Sequence, residues 1–277
     1  IDIKKKKNYY LVKGCGDVFF KKRKEIYLGN SGTGARLMCG LLCSRNINIK
    51  IKGDSSLSNR PMRRIIEPLE KLGGNFASNN GNLPIKIKKS ERLLPNTISS
   101  YLGSAQVKSA VILAALNIKG KTTFKEFSPS RDHTEIMLDY FDAKVKIQTE
   151  KKFKKISIIG PSKLKGKDIQ VPGDFSSASF IIVATLLCIK SKVLLKNVGL
   201  NYYRIGLLAI LKKMNAKITI VKQYLVNGEK IGDIKVQTSA LRGISDDGKM
   251  SARLIDEYPI LFVAASFAKG NTTFKGL

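Results

Sequence analysis

The chain has 277 residues, of which 43% are apolar, and carries a formal net charge of +29 at neutral pH. That apolar fraction builds a packed core and excludes a disordered chain. No apolar stretch reaches the roughly 18 to 20 uncharged residues of a membrane-spanning helix, since VILAALNIKG and FIIVATLLCIK each meet a lysine within a few turns.

The length suits about two domains. IDIKKKKNYY opens on Ile1 with no hydrophobic signal region, so a start further upstream is expected. From there the pattern repeats. GARLMCGLLC reads as an apolar helix, NINIKIKG as a strand, and EPLEKLGGNFAS as an amphipathic helix running into a strand. The succession returns in VKSAVILAALNIKGKTTFKEF with IMLDYFDAKVKI, and in SASFIIVATLLCIKSKVLLKNV with ILKKMNAKITI. It begins a fourth time in YPILFVAASFAKGNTTFKGL. Gly73, Ala143 and Ala216 take the same place in three units, 70 and 73 residues apart, so the period is just over 70.

Each unit reads helix, strand, helix, strand, strand. The first helix is nearly all apolar and belongs inside a domain; the second is amphipathic. Buried helices with sheets outside them predict an α/β architecture. The fourth unit holds one helix and the opening of a strand, and half a unit cannot cover its own apolar face. The expectation is of an internal piece of a longer protein.

Cys15, Cys39, Cys43 and Cys188 show no CxxC spacing and His133 is the sole histidine, so no structural zinc site is expected. Cys39 and Cys43, one helical turn apart, read as small buried hydrophobes. Free thiols suit a reducing cytoplasm. The lysines of PIKIKK, KKFKKISI and AKITIVK alternate with apolar residues, as on the wet face of a strand. They run along the whole chain, which reads as solvated faces and a compositional bias; a basic nucleic-acid-binding repeat protein is the alternative.

The turns before the apolar helices, LGNSGTGAR, LGSAQVKS, VPGDFSSAS and RLIDEYP, place backbone N–H groups and short side chains at helix N-termini, where phosphate and carboxylate oxygens bind. Gly29, Gly32 and Gly34 lack the GxGxxG spacing of dinucleotide sites. GDSSLSNRPMRR and SPSRDHTE take equivalent places in two units and put Arg60 and Arg131 71 residues apart, on matching turns. Two such arginines suit anionic substrates.

GDSSLSNRPM, LGSAQVKSAVILAAL, SRDHTEIML, VPGDFSSASF and IDEYPILFVAASFAKG together resemble the 3-phosphoshikimate 1-carboxyvinyltransferase (EPSP synthase) family, over essentially the whole chain. SAQVKSA, RDHTE and IDEYPIL are most similar to its second, bacterial class. The resemblance implies six βαβαββ repeats in two lobes, an inside-out α/β barrel that is truncated here. Residues 1–170 would form a nearly complete first lobe and 171–277 a partial second one, with the boundary near Val171. It implies transfer of the enolpyruvyl group of phosphoenolpyruvate to the 5-hydroxyl of shikimate 3-phosphate by a cytoplasmic monomer, with no metal or organic cofactor.

By the same resemblance, Asp256 in IDEYP matches the catalytic aspartate that meets the 5-hydroxyl of shikimate 3-phosphate; the residues alone also allow an N-cap for the following helix. Arg60 matches an arginine that holds phosphoenolpyruvate. Asn30, Gly32 and Thr33 line that pocket, or merely form a helix entry that needs glycine. Ser104, Ala105 and Gln106 match the stretch that holds shikimate 3-phosphate, with Gln106 reaching both substrates. Arg131 matches the partner of the acceptor's phosphate, against a plain surface arginine. His133 is expected to be a hydrogen-bonded lining residue rather than a catalytic one. Tolerant second-class members tend to carry alanine in place of Gly32, so inhibition by glyphosate is expected. The family's G-S-K-S motif and its later R-V-K-E-S-D-R-like motif lie outside these 277 residues, so the piece alone is expected to be inactive. UDP-N-acetylglucosamine enolpyruvyltransferase shares the fold and donor but uses a cysteine in a donor-covering loop, and none of the four cysteines here lies in such a motif.

Overall fold

The alternation of helices and strands is realised in a computed structural model of the chain, which describes residues 1–14, 16 and 24–276; Cys15 lies outside them. An exposed antiparallel hairpin, β1 (Asp2–Lys5) and β2 (Tyr10–Lys13), comes first. The first repeat follows as β3 (Glu25–Tyr27), α1 (Gly32–Cys43), β4 (Ile49–Lys52), the single turn α2 (Ser55–Ser58), α3 (Arg63–Glu70), β5 (Asn75–Asn79) and β6 (Asn82–Lys88). The second is β7 (Thr97–Ser100), α4 (Ala105–Ala115), β8 (Gly120–Glu126), α5 (His133–Tyr140), β9 (Val145–Thr149) and β10 (Lys154–Gly160). The third is α6 (Phe175–Leu187), β11 (Lys192–Gly199), α7 (Gly206–Lys213), β12 (Lys217–Val226) and β13 (Glu229–Gln237). After it come β14 (Ser245–Asp246), α8 (Tyr258–Ser266) and β15 (Thr273–Phe274).

Each repeat closes its own sheet. The orders are β3-β4-β6-β5, β7-β8-β10-β9 and β11-β13-β12, and a parallel bridge from Gly173 to Val198 takes the place of a first strand in the third. In the first sheet Glu25 lies opposite Lys50 in parallel and Ile51 opposite Ile85 antiparallel, so a helix crossover is followed by a returning hairpin. β14 and β15, parallel on either side of α8, begin a fourth repeat. This is the βαβαββ plan that the resemblance implies.

The repeats align differently in one detail. Helices α3, α5 and α7 end alike: the N–H of Gly74 bonds to the Leu69 carbonyl, Ala143 to Leu138 and Ala216 to Leu211. Each is preceded by a left-handed residue, Gly73 (φ +91), Asp142 (φ +63) or Asn215 (φ +71), as in a helix stop of the Schellman kind. The counterpart of Ala143 and Ala216 is therefore Gly74, not Gly73. Matching small residues by size missed the shift, because backbone conformation, not side-chain volume, defines the position.

By proximity the chain divides into two units, one of Ile1–Ile98, Gln106–Lys125 and Ser157–Ser162, the other of Ser99–Ala105, Glu126–Ile156 and Lys163–Leu277. In the first, Ala35, Cys39, Leu42 and Cys43 of α1 are buried with Ile51, Ile65, Leu69, Ile85 and Ile87. Strand β6 buries Ile85 and Ile87 while Lys86 and Lys88 face water, as the alternation predicts. Burial pushes the Cys39 thiol up to about 12 and that of Cys43 further still, so both are inert hydrophobes; Cys188 is exposed. Gly40 of α1 meets α4 so closely that a Cβ there would lie 2.6 Å from the Ala110 carbonyl carbon and closer to its oxygen. Near the ends of the two helices the Asn117 amide donates to the Ser44 hydroxyl at 2.8 Å.

The second unit is built on Phe175, Ile182, Val183 and Leu186 of α6, packed with Leu207 and Leu211 of α7, Ile234 and Val236 of β13, and Leu261 of α8. The apolar sequences of α6 and α8 predict enclosure on every side, yet Phe180, Ile181, Phe262 and Val263 stay partly exposed. Lys154, expected on a wet face, is drawn in instead, 3.6 Å from the Asp132 carboxylate and over the Tyr203 ring. Among the described residues no helix is long and apolar enough to cross a membrane.

Candidate active site

In the first unit the turn LGNSG brings five of the expected residues together. Gly29 takes a left-handed φ of +54, and the Ser31 hydroxyl accepts from the Gly34 N–H at 3.1 Å, capping α1. Asn30 is thereby held where its Oδ1 accepts from Arg60 Nη2 at 2.5 Å. Arg60 arrives from the single turn α2, whose own cap is Asp54, accepting from the Leu57 N–H at 2.8 Å. Gly32 lies beneath the guanidinium groups, and a Cβ there would stand 2.9 Å from Arg60 Nη1 and 3.5 Å from Arg36 Nη1. The missing side chain is what lets two cations gather over the start of α1. Arg36 Nη1 donates to Gln106 Oε1 at 2.6 Å, and Gln106 Nε2 donates to Thr33 Oγ1 at 2.8 Å.

Arg36 was not among the residues expected from sequence. It is buried, its Nε has no partner among the described residues, and burial with the charges of Arg64 and Arg60 pulls its pKa down. No carboxylate pairs with Arg36 or Arg60 among the described residues. An uncompensated guanidinium pair beside an amide and a hydroxyl is chemically a cradle for an anion. The sequence signal was present in GTGAR, since residues three and four apart share a helix face.

The second unit holds the other group. Ser104 and Ala105, half-buried, lead into and open α4. Arg131 Nη2 donates to Asp256 Oδ2 at 2.5 Å, and Arg204 Nη1 donates to the same oxygen at 2.7 Å. Oδ1 of Asp256 accepts no hydrogen bond among the described residues. Asp256 lies in the 3-10 turn Ile255–Glu257, and the N-cap position of α8 belongs to Glu257, whose side chain makes no capping bond to the helix. The N-cap reading of Asp256 therefore falls, and Arg131 is more than a free surface arginine. Burial pushes the Asp256 carboxyl up, but the hydrogen bond and charge of Arg131, joined by those of Arg204, outweigh it and hold the group below its ordinary value.

Behind this carboxylate, Arg204 Nη2 donates to the Ser176 hydroxyl at 2.5 Å, and that hydroxyl donates to Glu257 Oε1 at 2.5 Å. Glu257 is buried, and desolvation pushes its pKa up. Sequence reasoning missed Arg204, Ser176 and Glu257. The available signal was the period: Arg204 follows Arg131 by 73 residues, as Arg131 follows Arg60 by 71. His133, expected to be hydrogen-bonded, opens α5 half-buried with no side-chain hydrogen bond among the described residues; as a helix's first residue it has no neighbour in the preceding turn to meet.

The profile of the family described as EPSP synthase (3-phosphoshikimate 1-carboxyvinyltransferase) matches residues 1–277. The chain is 46% identical over 269 residues to the 3-phosphoshikimate 1-carboxyvinyltransferase of Petrotoga mobilis, covering 96% of this chain and 61% of that one. It is 44% identical over 251 residues to the protein of the same name from Acidiphilium cryptum, covering 90% and 56%. Among solved structures, the EPSP synthase of Acinetobacter baumannii matches with a TM-score of 0.80 at 39% identity, over 91% of this chain and 56% of that one. The chain thus spans less than two thirds of the length of these relatives. With its whole length matched by the family and its βαβαββ repeats in place, the chain belongs to the EPSP synthase (3-phosphoshikimate 1-carboxyvinyltransferase) family.

Proposed function

We propose that the protein containing this chain transfers the enolpyruvyl group of phosphoenolpyruvate to the 5-hydroxyl of shikimate 3-phosphate, giving 5-enolpyruvylshikimate 3-phosphate and inorganic phosphate. An acid protonates the methylene carbon of the enol while the hydroxyl oxygen bonds to the carbon that carries the phosphate and the hydroxyl proton passes to a base. The new methyl group then gives up a proton as the bond from that carbon to the phosphate oxygen breaks, which restores the double bond and releases phosphate. Asp256 meets that hydroxyl. Arg60, with Asn30, Gly32 and Thr33, holds the donor; Ser104, Ala105 and Arg131 hold the acceptor; Gln106 reaches both. The observation that carries the reading is the Arg36–Arg60 pair over α1, without a carboxylate partner among the described residues, since a donor bearing a phosphate and a carboxylate supplies negative charge there.

The reaction takes no metal or organic cofactor, and the protein acts as a cytoplasmic monomer. Its lobes divide near Val171. Support for that division is the apolar cluster from Phe175 to Ala264, drawn wholly from residues after it. The test is turnover of the full gene product, in which one phosphate is released for each shikimate 3-phosphate consumed. No release would sink the reading. Release with UDP-N-acetylglucosamine instead would favour the sister reaction, and tight binding of a random oligonucleotide that weakens steeply with salt would favour the nucleic-acid alternative.

Gly32→Ala gives a graded check of the donor pocket. The added methyl meets Arg60 Nη1 at 2.9 Å, the movable end of a side chain, so Arg60 shifts rather than the backbone. The donor KM is expected to rise by about threefold to tenfold, on the order of 1 kcal/mol, with glyphosate inhibition weakened more. Coincident inhibition curves for parent and variant at one donor concentration would remove Gly32 from the pocket.

A further inference from the structure

We propose that Arg204 is a positioning residue that holds Asp256 while Arg131 serves the anionic group of the acceptor. This rests on the reading of Asp256 as the residue that meets the acceptor hydroxyl. The two arginines share Asp256 Oδ2 but are held very differently. The side chain of Arg131 is 33% exposed and makes no other side-chain bond among the described residues. That of Arg204 is 14% exposed and has three further partners: Ser176 Oγ at 2.5 Å, Asp174 at 3.5 Å and Glu257 at 3.8 Å.

The backbone beneath Arg204 is fixed as well. Its N–H bonds to the Asn201 carbonyl at 2.9 Å, Asn201 Oδ1 accepts from the Tyr203 N–H at 2.9 Å, and Asn201 Nδ2 donates to Asp132 at 2.7 Å. Gly206, two residues on, leaves so little room that a Cβ would stand 3.0 Å from the Arg253 carbonyl oxygen. An anion can therefore withdraw the open, singly bonded Arg131 without disturbing this frame.

The consequence is chemical. With both arginines on Oδ2, Asp256 is a poor proton acceptor, because two cations stabilise its charged form. Withdrawal of Arg131 raises its basicity, while Arg204 keeps Oδ2 tied and leaves Oδ1 open for the hydroxyl. Of the charged groups around it, Arg204 then stays on Asp256 Oδ2, while Asp174 and Glu257 lie against the other nitrogen of Arg204. Binding of the acceptor would itself switch the base on.

The test is carbon-13 NMR titration of the Asp256 carboxyl, with steady-state kinetics, in the full gene product and its Arg204→Met, Arg204→Lys and Arg131→Met variants. In Arg204→Met the Asp256 midpoint is expected to rise by about one pH unit, moving the acidic limb of kcat/KM to higher pH by the same amount. Its kcat falls by about tenfold or more, with both KM values changed less than twofold. Arg131→Met instead raises the acceptor KM. Arg204→Lys keeps the charge without the two-armed grip, so its midpoint stays near the parent's and its kcat falls; it carries the test if Arg204→Met does not fold. An unmoved midpoint in folded Arg204→Met, or an acceptor KM raised as much as by Arg131→Met, overturns the inference. A parent that turns over neither substrate overturns the proposed function alone, since the NMR midpoints still report whether Arg204 holds Asp256.

Discussion

Arg60→Glu is expected to weaken phosphoenolpyruvate binding to the full gene product by more than a hundredfold, about 3 kcal/mol or more. The size follows from what the substitution does to the charge around α1. Arg60 and Arg36 approach each other across Gly32 without a carboxylate partner among the described residues, so an anion there gains from both. A carboxylate at position 60 removes one charge-assisted hydrogen bond and sets a negative group beside the incoming phosphate and carboxylate. It would also pair with Arg36, withdrawing the second cation. Asn30, which now accepts from Arg60 Nη2 at 2.5 Å, would face a second acceptor and lose its orientation. Calorimetric titration with the donor measures the effect, and a dissociation constant within threefold of the parent would take Arg60 out of the site. Because Arg60 is half-buried on a surface turn, the melting temperature should move little.

Gly40→Ala is expected to lower stability by about 3 kcal/mol, a fall in melting temperature on the order of 10 °C for a chain of this size. Gly40 lies inside α1, one turn before its end, where alanine is ordinarily the better helix former. Tertiary contact reverses that preference. The added Cβ would stand 2.6 Å from both the carbonyl carbon and the Cα of Ala110 in α4. Backbone atoms of a packed helix cannot swing aside as the end of an arginine can, so α1 and α4 must separate and open voids around Cys39 and Ala114, both now fully buried. Gly166→Ala is the control, for nothing lies within 4 Å of a Cβ there. Thermal unfolding of the two variants should differ widely; equal melting temperatures would mean that α1 and α4 do not approach at Gly40.

The repeat and the α/β class were legible in the sequence because both depend on local periodicity. A helix that is apolar all round and a strand that alternates lysine with isoleucine, as in β6, declare themselves within a dozen residues. Arg60 and Arg131 were legible for a related reason: a repeat places like turns at like intervals, and an arginine on each stands out. Tertiary structure decided the rest. Whether Asp256 caps α8 or faces cations depends on Arg131 and Arg204, 125 and 52 residues earlier, and nothing in IDEYP records them. Arg36 reads locally as the polar residue of an amphipathic turn, and only the approach of Gln106 and the absence of a side chain at Gly32 turn it into part of an anion cradle. Lys154 carries the same alternation as the wet lysines around it, yet Asp132 and Tyr203 draw it in. Periodicity follows from the geometry of one helix or strand, whereas a side chain's partner is set by how distant segments pack, and that information is spread over the whole chain.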